Sequence, residues 1–440
     1  MPLGTIARLV KKDSNMGPVS VGCLNSLYKS LEDLDKNCLW TETSKEMLLQ
    51  PTNSSENYCS SLKFNIDDTP PTKYFICSML HVCGFCYFTT SSNILCQCGN
   101  PISRSVSFKH FCKGFVNDIA TFVITDDLNI FPNDMFYTSF DLLHNSGIKS
   151  ISSIDKITLN ITKEKVLDLL KCSLLSKSPL TDLFLKKKIS YSSPEKSLFS
   201  CPGFESNSNI HITLNLIIRK SDGKVLYAQV QKDFVDLILS FLTFPLGGVA
   251  RILRGNFSLG CIDALYKSIV ELDKNKYLVS KDAKDRLVDP HVASLFKLSK
   301  ILPLQIDRTS TYYFCYYRGE SFKQSITDNQ FFISDECRAS EGKTKALKLI
   351  KPKSATGSHS SYVKGPVMYV VTDDLFFSPL SVITALYLID SLKTPFNDVK
   401  EKVVTIGINE CLGILKASLT STSALTNGLR HLITDVKEEK

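Results

Sequence analysis

The sequence predicts an α+β protein made of two tandem, diverged copies of one unit of hairpin, helices and small sheet, the first copy lacking its opening segment. Three observations support this. Three strings recur in the same order in both halves, alternating apolar residues flank a turn signal at Ser221-Asp222-Gly223, and apolar residues at helical spacing follow.

The first recurring string is GCLNSLYKSLEDLD at 22–35 against GCIDALYKSIVELD at 260–273, where eight of fourteen positions are identical. The second is FVITDDLNIFP at 122–132 against YVVTDDLFFSP at 369–379, and the third KCSLLSKSPLT at 171–181 against KASLTSTSALT at 416–426. The offsets of 238, 247 and 245 residues differ little, so the order is collinear. Each first string follows a shared PLG, which places Met1 level with Phe244. The first copy is therefore expected to begin about 35 residues into its own unit, exposing a sheet edge and uncovering core. The domains expected are 1–185, with a Cys-rich segment at 77–98, a Ser-rich linker at 186–209, and a complete second copy at 210–440.

Within the second copy, the alternation of 210–230 around Ser221-Asp222-Gly223 predicts a β-hairpin, and 234–241 reads as a helix. Residues 247–253 and 261–272 carry apolar side chains three and four apart, Ile262, Leu265, Ile269 and Leu272 among them, and predict two more helices. The aromatic run 312–317 and the β-branched run 367–372 predict strands. Pro379 is expected to open a helix running to about residue 392, followed by a strand at 403–406 and a helix at 409–419.

Bulk properties exclude several classes. Fifty-two basic residues against 44 acidic ones give a mild +8 over 440 residues, not a concentrated nucleic-acid footprint. The local basic runs at 186–188 and 343–353 fall in stretches that read as linker or loop. The longest uncharged apolar stretch, 237–250, is interrupted by Pro245 and Gly247, so no membrane span is expected, and the N-terminus offers no signal core. Fifteen cysteines, an odd number, fit reduced thiols in the cytoplasm or nucleus better than a disulfide framework.

Five of these thiols, Cys77, Cys83, Cys86, Cys96 and Cys98, lie within 22 residues. Zinc takes four thiolates in a tetrahedron, usually from two short loops facing each other across a hairpin. Cys96 and Cys98, followed by Gly99, supply one half; Cys77 with Cys83, or Cys83 with Cys86, supplies the other, and His81 is a further candidate. Plain reduced thiols are the structural alternative and redox chemistry a third. In the second copy only Cys315 and Cys337 remain, too few for a closed site, so any metal belongs to the first copy and serves structure.

The pairs Asp126-Asp127 and Asp373-Asp374 suggest acid/base or magnesium chemistry, but adjacent residues of an extended chain face opposite ways, and a polar turn capping the next helix is the plainer reading. The triplets Tyr28-Lys29-Ser30 and Tyr266-Lys267-Ser268, and the pairs Lys171/Lys416 and Ser173/Ser418, carry no assigned role. No histidine occupies matching positions or a nucleophile elbow.

The strings KVLYAQVQKDFVDLILSFLTFPLGGVARIL, GCIDALYKSIVELD, VTDDLFFSPLSVITALYLI and VVTIGINECLGILKASLTSTSALTNGL together resemble the plant family of domain of unknown function 674. That resemblance covers nearly all of the second copy and, more weakly, most of the first. It implies tandem copies with KYFIC, a further Cys and CxCG in the first, which selects Cys77, Cys83, Cys96 and Cys98 as the zinc ligands. It implies no enzyme activity. The expected function is an interaction or scaffold protein with an unidentified protein partner and a structural zinc knuckle. The alternatives are a nucleic-acid-binding module using the knuckle and the 343–353 run, and an enzyme using the Asp pairs.

Overall fold

A computed structural model describes residues 1–79, 87–108, 114–133, 142–185, 211–292, 312–316, 324–327, 343–349 and 361–434, apart from positions 41, 91, 93, 145, 146, 149, 257, 291, 366, 382–385, 387, 389, 391 and 392. The expected linker 186–209 lies outside these residues.

The chain opens with α1 (Leu3–Val10), α2 (Leu24–Asp33), α3 (Glu42–Leu49) and the single turn α4 (Glu56–Cys59). Four strands follow: β1 (Tyr74–Cys77), β2 (Tyr87–Thr89), β3 (Ile94–Leu95) and β4 (Pro101–Phe108). A small hairpin, β5 (Phe122–Ile124) and β6 (Ile130–Pro132), leads to α5 (Lys163–Leu175) and α6 (Pro179–Phe184). Helix α2 forms because Leu24, Leu27, Tyr28 and Leu31 share one face, and all four are buried. Each contributes about 1.5–3 kcal/mol of burial, so an Asp at Leu27 would detach the helix.

The later part runs through hairpin β7 (Ile212–Arg219) and β8 (Val225–Val230), then α7 (Lys232–Phe241), α8 (Leu246–Ile252), α9 (Gly260–Glu271) and α10 (Lys281–Val288). Strands β9 (Tyr312–Tyr316), β10 (Gln324–Thr327), β11 (Lys343–Leu349), β12 (Tyr369–Thr372), β13 (Phe377–Pro379) and β14 (Val399–Ile406) precede α11 (Ile408–Thr420), α12 (Ala424–Gly428) and α13 (Arg430–Thr434). Gly223, at φ +71°, makes the hairpin turn, and the alternation puts Leu214, Leu216 and Ile218 on the core face.

Three elements differ from expectation. Pro379 ends strand β13, opposite Tyr369, rather than opening the expected helix, since β13 is an edge strand, where a missing N–H is tolerated; further along that stretch the described residues 386, 388 and 390 are helical. Strand β14 starts at Val399, its polar first half Lys400-Glu401-Lys402 held by pairing with β7. Residues Lys343–Leu349 form a strand between β9 and β2, although their lysines had suggested a loop.

Strands β13, β12, β8, β7 and β14 form one antiparallel sheet. A second sheet mixes the early and late parts of the chain in the order β1, β2, β11, β9, β10, β4, β3, and β1 also pairs with β4, so six strands close into a ring. The two junctions, β2 with β11 and β10 with β4, are both parallel; the other pairings in this sheet are antiparallel.

The main core is likewise shared, joining Leu3, Leu27 and Leu174 with Leu216, Phe234, Tyr369 and Leu415. Contacts between the early and late parts recur in pairs, the first of them at positions that the aligned strings make equivalent and the others just outside those strings. The Cys23 thiol donates to Ser421 O at 3.0 Å, and the Cys261 thiol to Ser176 O at 3.1 Å. Trp40 N donates to Tyr362 O and Val279 N to Phe115 O; Lys364 N donates to Cys38 O and Asn117 N to Tyr277 O.

Candidate metal centre

Cys77, at the end of β1, lies opposite Ile102 of β4, where the register slips by one residue between Ile76 and Cys77. Such a bulge re-aims a side chain. The slip brings the Cys77 thiol to the turn that joins β3 to β4. That turn is CQCGN: Gly99 N donates to Cys96 O, Cys96 N donates to Asn100 O at 2.8 Å, and Gly99 sits at φ +83° with open space around it. The backbone reversal leaves Cys96 and Cys98 on the same side as Cys77.

The three sulfurs all lie within 4.8 Å of one another, with Cys77 Sγ 3.6 Å from Cys98 Sγ. Zinc–thiolate bonds of 2.3 Å in a tetrahedron place sulfurs about 3.8 Å apart, so this spacing suits one ion. Cys77 and Cys96 are buried and Cys98 partly so, in an apolar surround of Ile102, Phe75, Ile94 and Tyr87. The Asn100 amide lies 3.5 Å from Cys98 Sγ, an outer-shell donor of the kind that orients thiolate ligands. Burial pushes the Cys77 thiol up, with Cys98 adding to the shift, so a thiolate here needs a cation beside it. Three thiols can hold a metal ion, and the residues fit thiolate-bound zinc. Cys83, Cys86 and His81 lie outside the described residues.

Cys172, Cys261 and Cys411 are buried and serve packing. Burial raises the Cys172 and Cys261 thiols to about 11 and Cys411 to about 12, which keeps them protonated and inert.

Both Asp pairs are built into the frame. Asp126 accepts from Thr181 N at 2.9 Å and Thr181 Oγ1 at 2.6 Å, holding the start of α6; Asp373 accepts from Thr426 N and Oγ1 at 2.7 and 2.9 Å, holding α12. Asp127 accepts instead from Thr125 Oγ1 and the Asn129 amide, and Asp374 from Thr372 Oγ1. The carboxylates of each pair thus turn to different partners. The expected cap exists, but on a helix some 50 residues on rather than the next one.

Sequence reasoning gave the Tyr-Lys-Ser triplets no role. Ser30 and Ser268, their last members, each accept a backbone N–H from the other half, Phe377 and Ile130. Their common place in the two aligned strings was the signal available. Lys171 is likewise structural: its ammonium, fully buried, donates to Lys12 O, Ser14 Oγ and Gly17 O at 2.6–2.7 Å.

Among the described residues no helix is long and apolar enough to cross a membrane. No curated protein and no solved structure matches the chain. Residues 1–409 match the family described as protein of unknown function (DUF674), and the chain belongs to that family.

Proposed function

We propose that this is a non-catalytic interaction protein made of two copies of one unit, its first half pinned by a structural zinc knuckle on Cys77, Cys83, Cys96 and Cys98. The observation that carries the reading is the convergence of three thiols, from a bulged strand end and a tight turn, to within 4.8 Å. Zinc there would tie β1 to the β3–β4 turn on the sheet that both halves build. One carboxylate of each Asp pair that an enzyme reading would use holds a helix start and the other a neighbouring Thr hydroxyl, which supports a non-catalytic role.

Elemental analysis of the purified full chain, beside a Cys96→Ser, Cys98→Ser double variant, tests the knuckle. About one zinc per chain in the parent and none in a folded variant is expected. Folded parent protein free of zinc, purified without chelators, would reduce the cluster to ordinary thiols.

A further inference from the structure

We propose that the six-stranded ring built by both halves takes a phosphate-bearing small molecule, its dianion shared between Arg104 of β4 and Lys345 of β11. Such a site does not depend on zinc, and its test leaves the cysteines untouched.

The register decides which residues share a face of the ring. In a ladder, residues opposite one another lie on one face, and every second residue of a strand returns to it. Ile76 of β1 stands opposite both Arg104 of β4 and Phe88 of β2. Phe88 in turn stands opposite Leu349, which lies on the same face of β11 as Lys345. Lys345 stands opposite Phe314 of β9, and Phe314 opposite Ile326 of β10. Ile326 stands opposite Phe108, which shares a face of β4 with Arg104, so the circuit closes. That face is the inner one: Ile76, Phe88 and Val106 are buried, whereas Ser103 and Ser105, on the other face of β4, are exposed.

Arg104 and Lys345 occupy matching places on this face. Exchanging β1, β2 and β4 for β9, β10 and β11 turns the pair Ile76–Arg104 into Phe314–Lys345, and the pair Phe88–Leu349 into Ile326–Phe108. In the ring, β4 and β11 are three strands apart in either direction, and so form facing walls. Six strands about 4.8 Å apart close on a ring roughly 10 Å across, narrow enough for facing walls to share one ligand.

The charge of these strands has one sign. They carry Arg104, Lys343, Lys345 and Lys348 and no Asp or Glu, and Lys343 belongs to the same face as Lys345. Arg104 is partly buried, and burial lowers its pKa. It makes no hydrogen bond or ion pair among the described residues. A guanidinium withdrawn from water without an anion is costly, and a cation on the facing wall adds repulsion. A dianion between the two removes both costs. The planar fork of arginine binds two oxygens of one phosphate while lysine supplies a point charge, a combination that favours a phosphate monoester over a monocarboxylate. Tyr74 and Phe88, also of the inner face with ring centroids 5.9 Å apart, offer an apolar bed for the rest of the molecule.

Isothermal titration of the full chain with inorganic phosphate, at an ionic strength held constant with chloride, tests the site. About one equivalent should bind per chain, and Arg104→Met and Lys345→Met should each weaken binding by about tenfold or more. Arg104→Met should also melt no lower than the parent in phosphate-free buffer, since it removes a partly buried charge that has no partner there. No binding to the parent overturns the proposal, and would mean that the cations are satisfied by water at the mouth of the ring. Equal affinity in the parent and both variants overturns it too, by placing the phosphate on another surface. So does a variant that unfolds without phosphate, because the cation would then hold the fold and not a ligand.

Discussion

The hydroxyl of Ser30, on α2, accepts the backbone N–H of Phe377, on β13, at 3.0 Å across a sequence separation of 347 residues, in the core. Ser30 Oγ itself donates to Ser26 O at 2.8 Å, so a helical serine bridges its own helix to a strand of the other half. The same arrangement joins Ser268 to Ile130 at 3.0 Å, with its hydroxyl directed at Ala264 O. The halves are thus tied by reciprocal contacts, each using a side chain small enough to let strand and helix meet.

Ser30→Ala should leave the Phe377 N–H buried without a partner. The expected loss is about 1–3 kcal/mol, seen as a lower urea midpoint at unchanged slope. Ser268→Ala should cost less, because Ile130 is only partly buried and its hairpin has fewer strands to disturb. Equal stability of Ser30→Ala and parent would show that the contact contributes nothing.

Much of the fold was legible in residue pattern. The 212–230 alternation around Asp222-Gly223 and the i, i+3, i+4 spacing of Leu24, Leu27, Tyr28 and Leu31 state their structures locally, and the structure has them. What pattern could not reveal is which half each element packs against. Nothing local in Val116 says that it bridges Leu278, or in Lys343–Leu349 that it closes a ring with β2. Those pairings are long-range, and their signal is distributed over both strands. The thiol cluster was readable as ligand types at short spacing, but its geometry depends on a strand slip at Cys77 that spacing does not encode.

Gly22→Ala should be among the most damaging small changes. Gly22 sits at φ +48°, and a Cβ there would lie 2.3 Å from Ser418 O and 2.8 Å from the Leu419 carbonyl carbon. Backbone atoms of α11 cannot rotate away, so strain and overpacking together should cost about 2–4 kcal/mol. Gly17→Ala, at φ +71° but with nothing within 4 Å, should cost about 1 kcal/mol from the backbone alone. Thermal unfolding of the two variants side by side decides this; similar losses would mean that the α2–α11 approach is looser than described.

Asp236 predicts a pH dependence. This half-buried carboxylate of α7 accepts from Tyr362 N at 2.8 Å and Val363 N at 3.3 Å, next to the bridge between Val363 and Leu39. Burial pushes its pKa up to about 6, above the ordinary 3.8. An acid whose folded pKa is raised binds more protons folded than unfolded, so stability is greatest below pH 4 with respect to this group and falls as pH rises to about 6. The change is up to about 3 kcal/mol. Urea midpoints measured from pH 4 to pH 7 should show that decline, and Asp236→Asn should flatten it. A slope unchanged by Asp236→Asn would assign the titration to another group.

Chelation tests the proposed zinc knuckle as a stabilising element. A metal that binds only the folded chain adds stability by mass action, and three clustered thiols hold it only as thiolates. Chelation should lower the melting temperature of the full chain by several degrees, since about 1 kcal/mol shifts a large domain by roughly 2–4 °C. The freed thiols should then react: Cys77 and Cys98, with sulfurs 3.6 Å apart, are placed to oxidise to a disulfide once no cation separates them. Peptide mapping after mild oxidation should find that pair only in chelated protein, while metal-loaded protein keeps both thiols. In Cys77→Ser the chelator should have no effect on melting. A chelator effect that survives Cys77→Ser would place the metal elsewhere, and its absence from the parent would leave β1 and the β3–β4 turn held by hydrogen bonds alone.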